Sequence, residues 1–410
     1  MTDNFSTSKS LFALAAGTFG LGITEYVMMS ILPDLASQFD VSITSAGHLI
    51  SAYALGVCVG APLIVLFARN MPLRRILLLL IAIFIAGNLA FALSPNYLFA
   101  VASRFMAGLP HGAYFGTGAL VASRIAGQGR AASAVALMCM GMTVACLIGV
   151  PAGSWLASVL SWRVIFGFAA LWGVVTLVML RVWIPWLEGL PRTTARAQFK
   201  FMRNAAPWLL CGATLAGNAG VFSFYSYIAP LITGVSHLPE TFMPVLMLLV
   251  GASMCVGTYS GGRLSDRHGA GLTAYRLQWL IFGALAAITL FSPVAWLNVV
   301  LICFAAFALF AVSPPMQLLL IRFSPGNQLM GGAMIQIAFN LGNAVGAYCG
   351  GLPIEAGWGV RFSATVGAVF AVAGIVMMAA FMRRYDRPNK NQGAHHPTRP
   401  LYTHLSSPYD

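Results

Sequence analysis

"PWLEGLPRTTARAQFKFMRNAAP", residues 185 to 207, is the longest hydrophilic stretch inside an otherwise apolar chain, and its position decides how the rest is read. On either side the sequence falls into long apolar runs separated by short polar turns. Runs of about 20 apolar residues are long enough to cross the hydrocarbon core of a bilayer as helices. Candidate helices lie near 11–35, 46–68, 76–94, 97–121, 132–158 and 163–184 before the stretch. After it they lie near 206–230, 242–263, 275–292, 296–321, 328–354 and 361–382. The stretch therefore divides twelve expected spans six and six. The first run is closed by Pro33 and is too long, and wrongly flanked, to be a cleaved signal peptide.

Composition agrees with this reading. Of the 410 residues, 59% are hydrophobic and only 8% charged, whereas a soluble domain carries about a quarter charged residues. The formal charge of +13 would suggest a nucleic-acid partner in a soluble protein, so its location matters. With a cytoplasmic N-terminus, 20 of the 23 basic residues fall in inner loops, the central stretch and the tail. Only Arg163 and Arg361 fall outside, and Arg104 falls within a span. Such a bias orients the chain with both termini cytoplasmic. The positive charge is then a topology signal. The expected partner is the lipid bilayer, with no nucleic acid.

The two halves echo each other. Pro33 and Pro230 end spans one and seven, 197 residues apart, and Arg69 and Asp266 occupy inner loops at the same offset. Arg163 and Arg361, each following a Trp, open spans six and twelve 198 residues apart. The expected fold is an all-α membrane protein of twelve transmembrane helices in two pseudo-symmetric six-helix bundles. Its units are 1–184 and 206–382, joined by a cytoplasmic linker at 185–205 and followed by a disordered cytoplasmic tail at 383–410. Parallel six-span repeats around a central site are a transporter architecture.

Ten acidic residues are present, and only Glu25 falls near the centre of a span. An ionisable group there costs roughly 2.5–3.5 kcal/mol and normally faces a cavity or a partner. Low dielectric favours the neutral carboxyl and a nearby cation favours the charged one, so such a site can take up and release a proton. A protonated Glu pinned between helices, or a direct solute contact, are the other readings. Asp34 lies about 180° further round the helix, near the outer mouth, where it caps or lines the entrance. Arg104 and His111, seven residues apart, share a face of span four with Gly108 between them. Arg104 is expected at Glu25's depth, as its modulator or as a brace bonded to backbone carbonyls. His111 is either a second proton site or a neutral packed ring.

Further polar groups are candidates for a solute cavity. Gln336, Asn340 and Asn343 form a stripe on span eleven beside Gly342, Gly346 and Gly350, a small-residue stripe suited to close packing. Asn218, Phe222 and Tyr225 repeat the spacing on span seven, offering an amide and aromatic rings to sugars or flat drugs, or plain core packing. Gln317 on span ten follows Pro314 and Pro315, which should break or kink that helix and free carbonyls.

No phosphate loop, dinucleotide fingerprint, nucleophile elbow, catalytic carboxylate pair or metal cluster is visible in the spans. Neither an enzyme nor an ATP-driven pump is indicated, and no cofactor is expected. The seven cysteines lie in apolar runs without C-x-x-C spacing and read as small hydrophobes. His395, His396 and His404 in the tail allow metal binding, but a Pro-broken disordered tail explains them better.

The loop after span eight reads "GGRLSDRHG", with Gly262, Asp266, Arg267 and Gly269. Glycine lets helix ends approach, and Asp266 can cap a neighbouring helix N-terminus or pair with an Arg in one conformation only, which is the chemistry of a gate. This loop resembles the inner-loop signature of the major facilitator superfamily, in particular its twelve-span drug:proton antiporter branch. "SRFMAGLPHG" is similar to the span-four signature of that branch, and "GMTVACLIGVPAG", with Gly141, Gly149, Pro151 and Gly153, to its span-five antiporter signature. "GTFGLGITEY", "ISAYALGVCVGAP", "GNAGVFSF" and "QIAFNLGNAVGAYCGG" look like the sugar-efflux members. The chain departs from the pattern at Arg69, where the first-half loop would carry Asp, at Ala107, and at Val150 between Gly149 and Pro151. The resemblance implies a monomeric secondary transporter of a bacterial-type inner membrane that exports a small organic solute, a sugar or drug-like compound, by exchange with protons, with the proton gradient as its energy source. An uncoupled facilitator and a membrane sensor that binds without translocating are the alternatives.

Overall fold

The structure is a computed structural model that describes residues 6–41, 43–68, 70–127, 129–187 and 196–386. Arg69, the central residues 188–195 and the tail 387–410 with its three histidines lie outside the described residues. Twelve long helices are present among the described residues: α1 (Thr7–Ser30), α2 (Ile43–Ala68), α3 (Leu73–Ala92), α4 (Tyr97–Ile125), α5 (Ala131–Val144) and α6 (Trp162–Trp183) precede the central stretch. They are followed by α7 (Ala205–Tyr225), α8 (Met243–His268), α9 (Ala270–Phe291), α10 (Ala295–Arg322), α11 (Gln328–Glu355) and α12 (Phe362–Tyr385).

Ten of these segments are long and apolar enough to cross a membrane. The other two are α4 and α11, and the reason is their composition. Arg104 and His111 dilute the apolar character of α4, and Gln336, Asn340 and Asn343 that of α11. Both helices are packed mainly against other helices, where polar side chains meet protein in place of lipid. The result is an all-α, multi-pass membrane fold.

Pairwise packing repeats between the N-terminal and C-terminal sets of helices. Contacts of α1 with α5, α2 with α4, α3 with α4 and α3 with α6 recur as α7 with α11, α8 with α10, α9 with α10 and α9 with α12. The repeat reaches single residues. Gly56 and Gly60 of α2 face the carbonyls of Phe105 and Leu109 on α4, and Gly257 and Gly261 of α8 face those of Phe307 and Ala311 on α10. A Cβ at any of these four positions would overlap the facing carbonyl, so glycine is what allows the helices to touch.

Each set of helices is tied together at the end of the bundle where the described chain begins and ends. Ser10 Oγ donates to the Trp183 carbonyl and Leu73 N–H to the Leu187 carbonyl, tying the starts of α1 and α3 to the end of α6, and Tyr385 OH donates to Asn204 Oδ1, tying the end of α12 to the start of α7. Exposed tryptophans stand at both ends, Trp186 and Trp208 at this one and Trp155, Trp296 and Trp358 at the other, where an indole bridges apolar and wet surroundings.

Some proline expectations change. α1 ends at Ser30, and Pro33 opens a separate short helix, Leu32–Gln38, whose first turn also holds the exposed Asp34. Proline is well suited to a first helical turn, where its missing N–H costs nothing, and a carboxylate there favours the helix dipole. Pro230 likewise closes a separate short helical segment, Ile228–Pro230, beyond the end of α7. Pro314 and Pro315 do not break α10, which runs on to Arg322. The carbonyl that Pro315 leaves without a donor, Ala311 O, is the one against which Gly261 of α8 packs. α5 instead passes through a π turn at Ala145–Gly149 before continuing as Val150–Val159. Pro151 withdraws the N–H that a regular α-helix would return to Leu147, and a widened turn accommodates the loss.

Candidate functional site

Helices α1, α2 and α4 bring three ionisable residues and a tyrosine together. Glu25 projects from α1, and its Oε2 is buried without a hydrogen-bond partner. His111 Nδ1 on α4 stands 3.9 Å from that oxygen. The same nitrogen lies 2.9 Å from the hydroxyl of Tyr53 on α2. The imidazole is fully buried, stacks on Phe115 with centroids 5.1 Å apart and meets Tyr53 edge-on. Gly108 makes this possible: a Cβ there would run into the Tyr53 carbonyl, so only glycine lets α2 deliver Tyr53 to the ring.

Arg104, one side of Gly108 from His111, points into an aromatic cage. Its guanidinium carbon lies 4.4 Å from the Tyr53 ring centre, 5.5 Å from Phe91 and 5.6 Å from Phe166. Nε donates to the Leu49 carbonyl at 3.4 Å, and one terminal nitrogen is buried without a partner. A cation stripped of water is costly, and aromatic faces recover part of that cost, by up to about 2 kcal/mol for one desolvated contact. Arg104 and Glu25 feel each other electrostatically through space. Tyr53 touches both neighbours, the hydroxyl on His111 and the ring face on Arg104. The sequence reading singled out Glu25, Arg104 and His111 but passed over Tyr53. The available signal was the tyrosine in "ISAYALGVCVGAP", a run whose polar side chains are Ser51 and Tyr53.

A narrow cavity lies between the two sets of helices. Its walls are Phe115 of α4, Cys139 and Met142 of α5, Thr258 of α8, Phe310 and Ser313 of α10, and Gln336 and Phe339 of α11. Of the polar residues expected around a cavity, Gln336 lines this one. Asn340 Nδ2 donates to the Gln336 carbonyl and Asn218 Nδ2 to the Thr214 carbonyl, each within its own helix. Gln317 Nε2 donates to the Gly332 carbonyl at 2.7 Å and ties α10 to α11. Asn343 Oδ1 is buried without a partner. Phe222 lies 5.6 Å from Tyr225 and 6.2 Å from Phe339, continuing an aromatic path to the cavity wall. Phe115, Phe310 and Phe339 were not expected from sequence, because a phenylalanine facing a cavity and one facing lipid have the same local pattern.

At the termini end, Asp266 of α8 reaches the other set of helices. Its two carboxylate oxygens accept from the backbone N–H groups of Ala132 and Ser133 at 3.0 and 2.9 Å, in the first turn of α5. Gly262, one turn earlier, packs on Ala132 and Ala136, where a Cβ would collide. Gly269 ends α8 with φ of 87°, a conformation that favours glycine. Arg267 is exposed. Along α5, Gly141 receives the Ala15 carbonyl of α1, while Gly149 and Gly153 pack on Ile23 and Val27; Pro151 is exposed. The span-five glycines therefore form the seat for the helix that carries Glu25. Among the described residues no cluster of three His, Cys, Asp or Glu side chains could hold a metal ion.

Known proteins resemble this chain in sequence and in fold. The family model of the Major Facilitator Superfamily matches residues 14–329. AraJ of Escherichia coli (strain K12) is 40% identical over 379 residues, covering 92% of this chain and 96% of AraJ. The inner membrane transport protein YdhP of the same organism is 38% identical over 384 residues, covering 92% of this chain and 96% of YdhP. The crystal structure of the E. coli fucose:proton symporter FucP superposes with a TM-score of 0.74 at 11% identity, covering 90% of this chain and 98% of FucP, a likeness of fold alone. With its pseudo-symmetric helix packing and a family match over most of its length, the chain belongs to the Major Facilitator Superfamily, whose members are transporters rather than enzymes.

Proposed function

We propose that this protein is a twelve-span, proton-coupled exporter of a small organic solute, a sugar or drug-like compound, working by alternating access as a monomer. In this reading α4 and α11 complete the twelve spans, six in 1–184 and six in 206–382, with 185–205 and the tail cytoplasmic. Glu25 carries the proton, Arg104 modulates it with His111 in the same proton-coupling site, and the cavity walled by Gln336, Phe339 and their neighbours, water-sized in this conformation, widens to hold the solute. Asn218, Phe222, Tyr225, Gln317, Asn340 and Asn343 shape the surrounding region. Asp266 and Arg267, with Gly262 and Gly269, form the cytoplasmic gate.

One observation carries the reading. Glu25 Oε2 is buried without a partner, faces an imidazole and sits in the field of a caged guanidinium. Low dielectric favours its neutral form and the cation its charged form, so water admitted from one side or the other decides which holds. The same helix rests on Gly141, Gly149 and Gly153 of α5, and α5 is gripped by Asp266 from the opposite set. Movement of the gate is thus transmitted to the seat of the proton-carrying helix. A second half that rocks on the first then exposes the cavity to alternate sides.

Vesicle transport tests the reading. Purified protein in liposomes containing a pH-sensitive dye is challenged with a panel of pentoses, hexoses and small aromatic drugs, chosen by their effect on thermal stability. Wild type moves protons against the solute, and Glu25→Gln inserts normally but does not. Equal proton movement by the two proteins rules out Glu25 as carrier. Solute flux that ignores a pH gradient identifies an uncoupled facilitator.

A further inference from the structure

His111 is held on one side only. Nδ1 has Tyr53 OH at 2.9 Å and Glu25 Oε2 at 3.9 Å, both from the N-terminal set of helices. Nε2 is buried and has no hydrogen-bond partner. A buried ring nitrogen without a partner is costly, and the cost is shed if a donor or acceptor moves into place. Opposite the ring on α11 is Gln336: Gly112, next to His111, and Gly116 pack against the backbone of Ala333, three residues before Gln336, and the Gln336 side chain reaches the imidazole. Gln336 also lines the cavity between the sets of helices. Its amide is the one member of this cluster that belongs to the C-terminal set.

We propose that Gln336 is a positioning residue that links the solute cavity to Glu25 by selecting the tautomer of His111. The proposal rests on the reading of Glu25 as proton carrier and of the cavity as solute site. The Gln336 carbonyl can accept from Nε2–H, in which case Nδ1 is bare and accepts the Tyr53 hydroxyl hydrogen. The Gln336 amide group can instead donate to a bare Nε2, in which case Nδ1 carries the hydrogen and presents it to Glu25 or to the Tyr53 oxygen. Both forms hold a single ring proton, and the imidazole stays neutral. Glu25 faces an N–H donor in one form and none in the other. A donor stabilises the carboxylate and its absence favours the carboxylic acid. A solute that claims the Gln336 amide, or a rocking motion that withdraws α11, therefore changes what Glu25 meets without touching it. Arg104 is included in the same chain of contacts, because the Tyr53 ring that carries the hydroxyl also covers the guanidinium.

Nitrogen NMR of histidine side chains in the full-length protein reads the tautomer directly. The His111 signals are assigned by their loss in His111→Gln. Gln336→Glu keeps the shape and, at an alkaline pH where its carboxyl is ionised and the imidazole neutral, offers an acceptor only, so the Nε2–H form should gain roughly two- to tenfold over the Nδ1–H form, the effect of one net hydrogen bond. Gln336→Leu offers neither group and should move the ratio away from its wild-type value without that bias. Ratios unchanged in both variants overturn the proposal. If the leucine variant fails to fold, an unchanged ratio in the glutamate variant is enough to overturn it. The readout needs no solute and no proton flux, so it separates from the Glu25→Gln vesicle result: equal proton movement there removes the carrier assignment, while an altered His111 ratio still upholds the link from Gln336.

Discussion

Asp266 at the end of α8 and Ser133 in the first turn of α5 are joined carboxylate to backbone N–H at 2.9 Å, across the two sets of helices. A second oxygen of the same carboxylate takes the N–H of Ala132 at 3.0 Å. A helix N-terminus presents unpaired N–H groups and partial positive charge, and a carboxylate satisfies both at once. The contact is local in chemistry yet joins residues more than 130 positions apart, so it acts on the relative position of the halves.

Asp266→Asn leaves one acceptor oxygen and removes the charge. The loss of one charge-assisted bond and of the dipole interaction amounts to roughly 1–2 kcal/mol, a factor of about 5–30 in an equilibrium between joined and parted ends. Spin labels at Gly127 and His268, both exposed near this contact, should show a longer-distance population in the variant. Identical distance distributions in wild type and variant would remove Asp266 from the gate.

Gly141 and Gly283 make opposite predictions for one substitution. The Ala15 carbonyl of α1 occupies the place of a Cβ at Gly141, whereas nothing lies within 4 Å of that place at Gly283. Gly141→Ala must push α1 away from α5, at a cost of roughly 1–3 kcal/mol. Gly283→Ala, on an exposed face of α9, gains helix propensity and should hold or raise stability by about 0.5–1 kcal/mol. Thermal unfolding of the two purified variants separates them; equal melting temperatures would show that the α1–α5 contact is slack.

Apolar runs and the central hydrophilic stretch made the helices legible, and side-chain caps hold the starts of three of them in the structure. Asn96 caps α4 by accepting from Phe99 N–H, and Ser161 and Asn204 serve α6 and α7 in the same way. The halves' relation was legible too, because repeated offsets of prolines and arginines survive in sequence. What lay between helices was not. The cage of Arg104 draws Tyr53 from α2, Phe91 from α3 and Phe166 from α6, and no spacing along one helix encodes a meeting of four. The polar stripe on α11 was legible as a stripe, but its amides have different uses: Asn340 bonds its own helix and Gln336 faces the cavity. Proline effects also depend on the neighbour. Gly261 lets α8 cover a carbonyl freed on α10, while α5 takes up its proline in a π turn.

The cage predicts that Arg104 tolerates no conservative exchange. Lysine keeps the charge but loses the flat guanidinium that lies over Tyr53 and the Nε that reaches Leu49. An ammonium buried among rings without acceptors is poorly satisfied, and Arg104→Lys should lower the melting temperature by an amount corresponding to about 2–4 kcal/mol. Wild-type stability in Arg104→Lys would mean that only charge matters at this position.

Two substitutions at Tyr53 separate its hydroxyl from its ring. Tyr53→Phe keeps the face that covers Arg104 and deletes the hydrogen bond to His111, a net loss of about 0.5–1.5 kcal/mol. Tyr53→Leu deletes both and leaves the guanidinium without its nearest ring, adding up to about 2 kcal/mol. Stability should therefore fall in the order wild type, phenylalanine, leucine. Proton movement in vesicles should respond differently, because the hydroxyl is the group that meets His111 Nδ1 beside Glu25. Phenylalanine alone should alter its pH profile, and leucine should add little further change in that profile beyond the loss of folded protein. A phenylalanine variant with the wild-type pH profile, measured at equal amounts of folded protein, would assign Tyr53 to packing around Arg104 and take it out of the proton site.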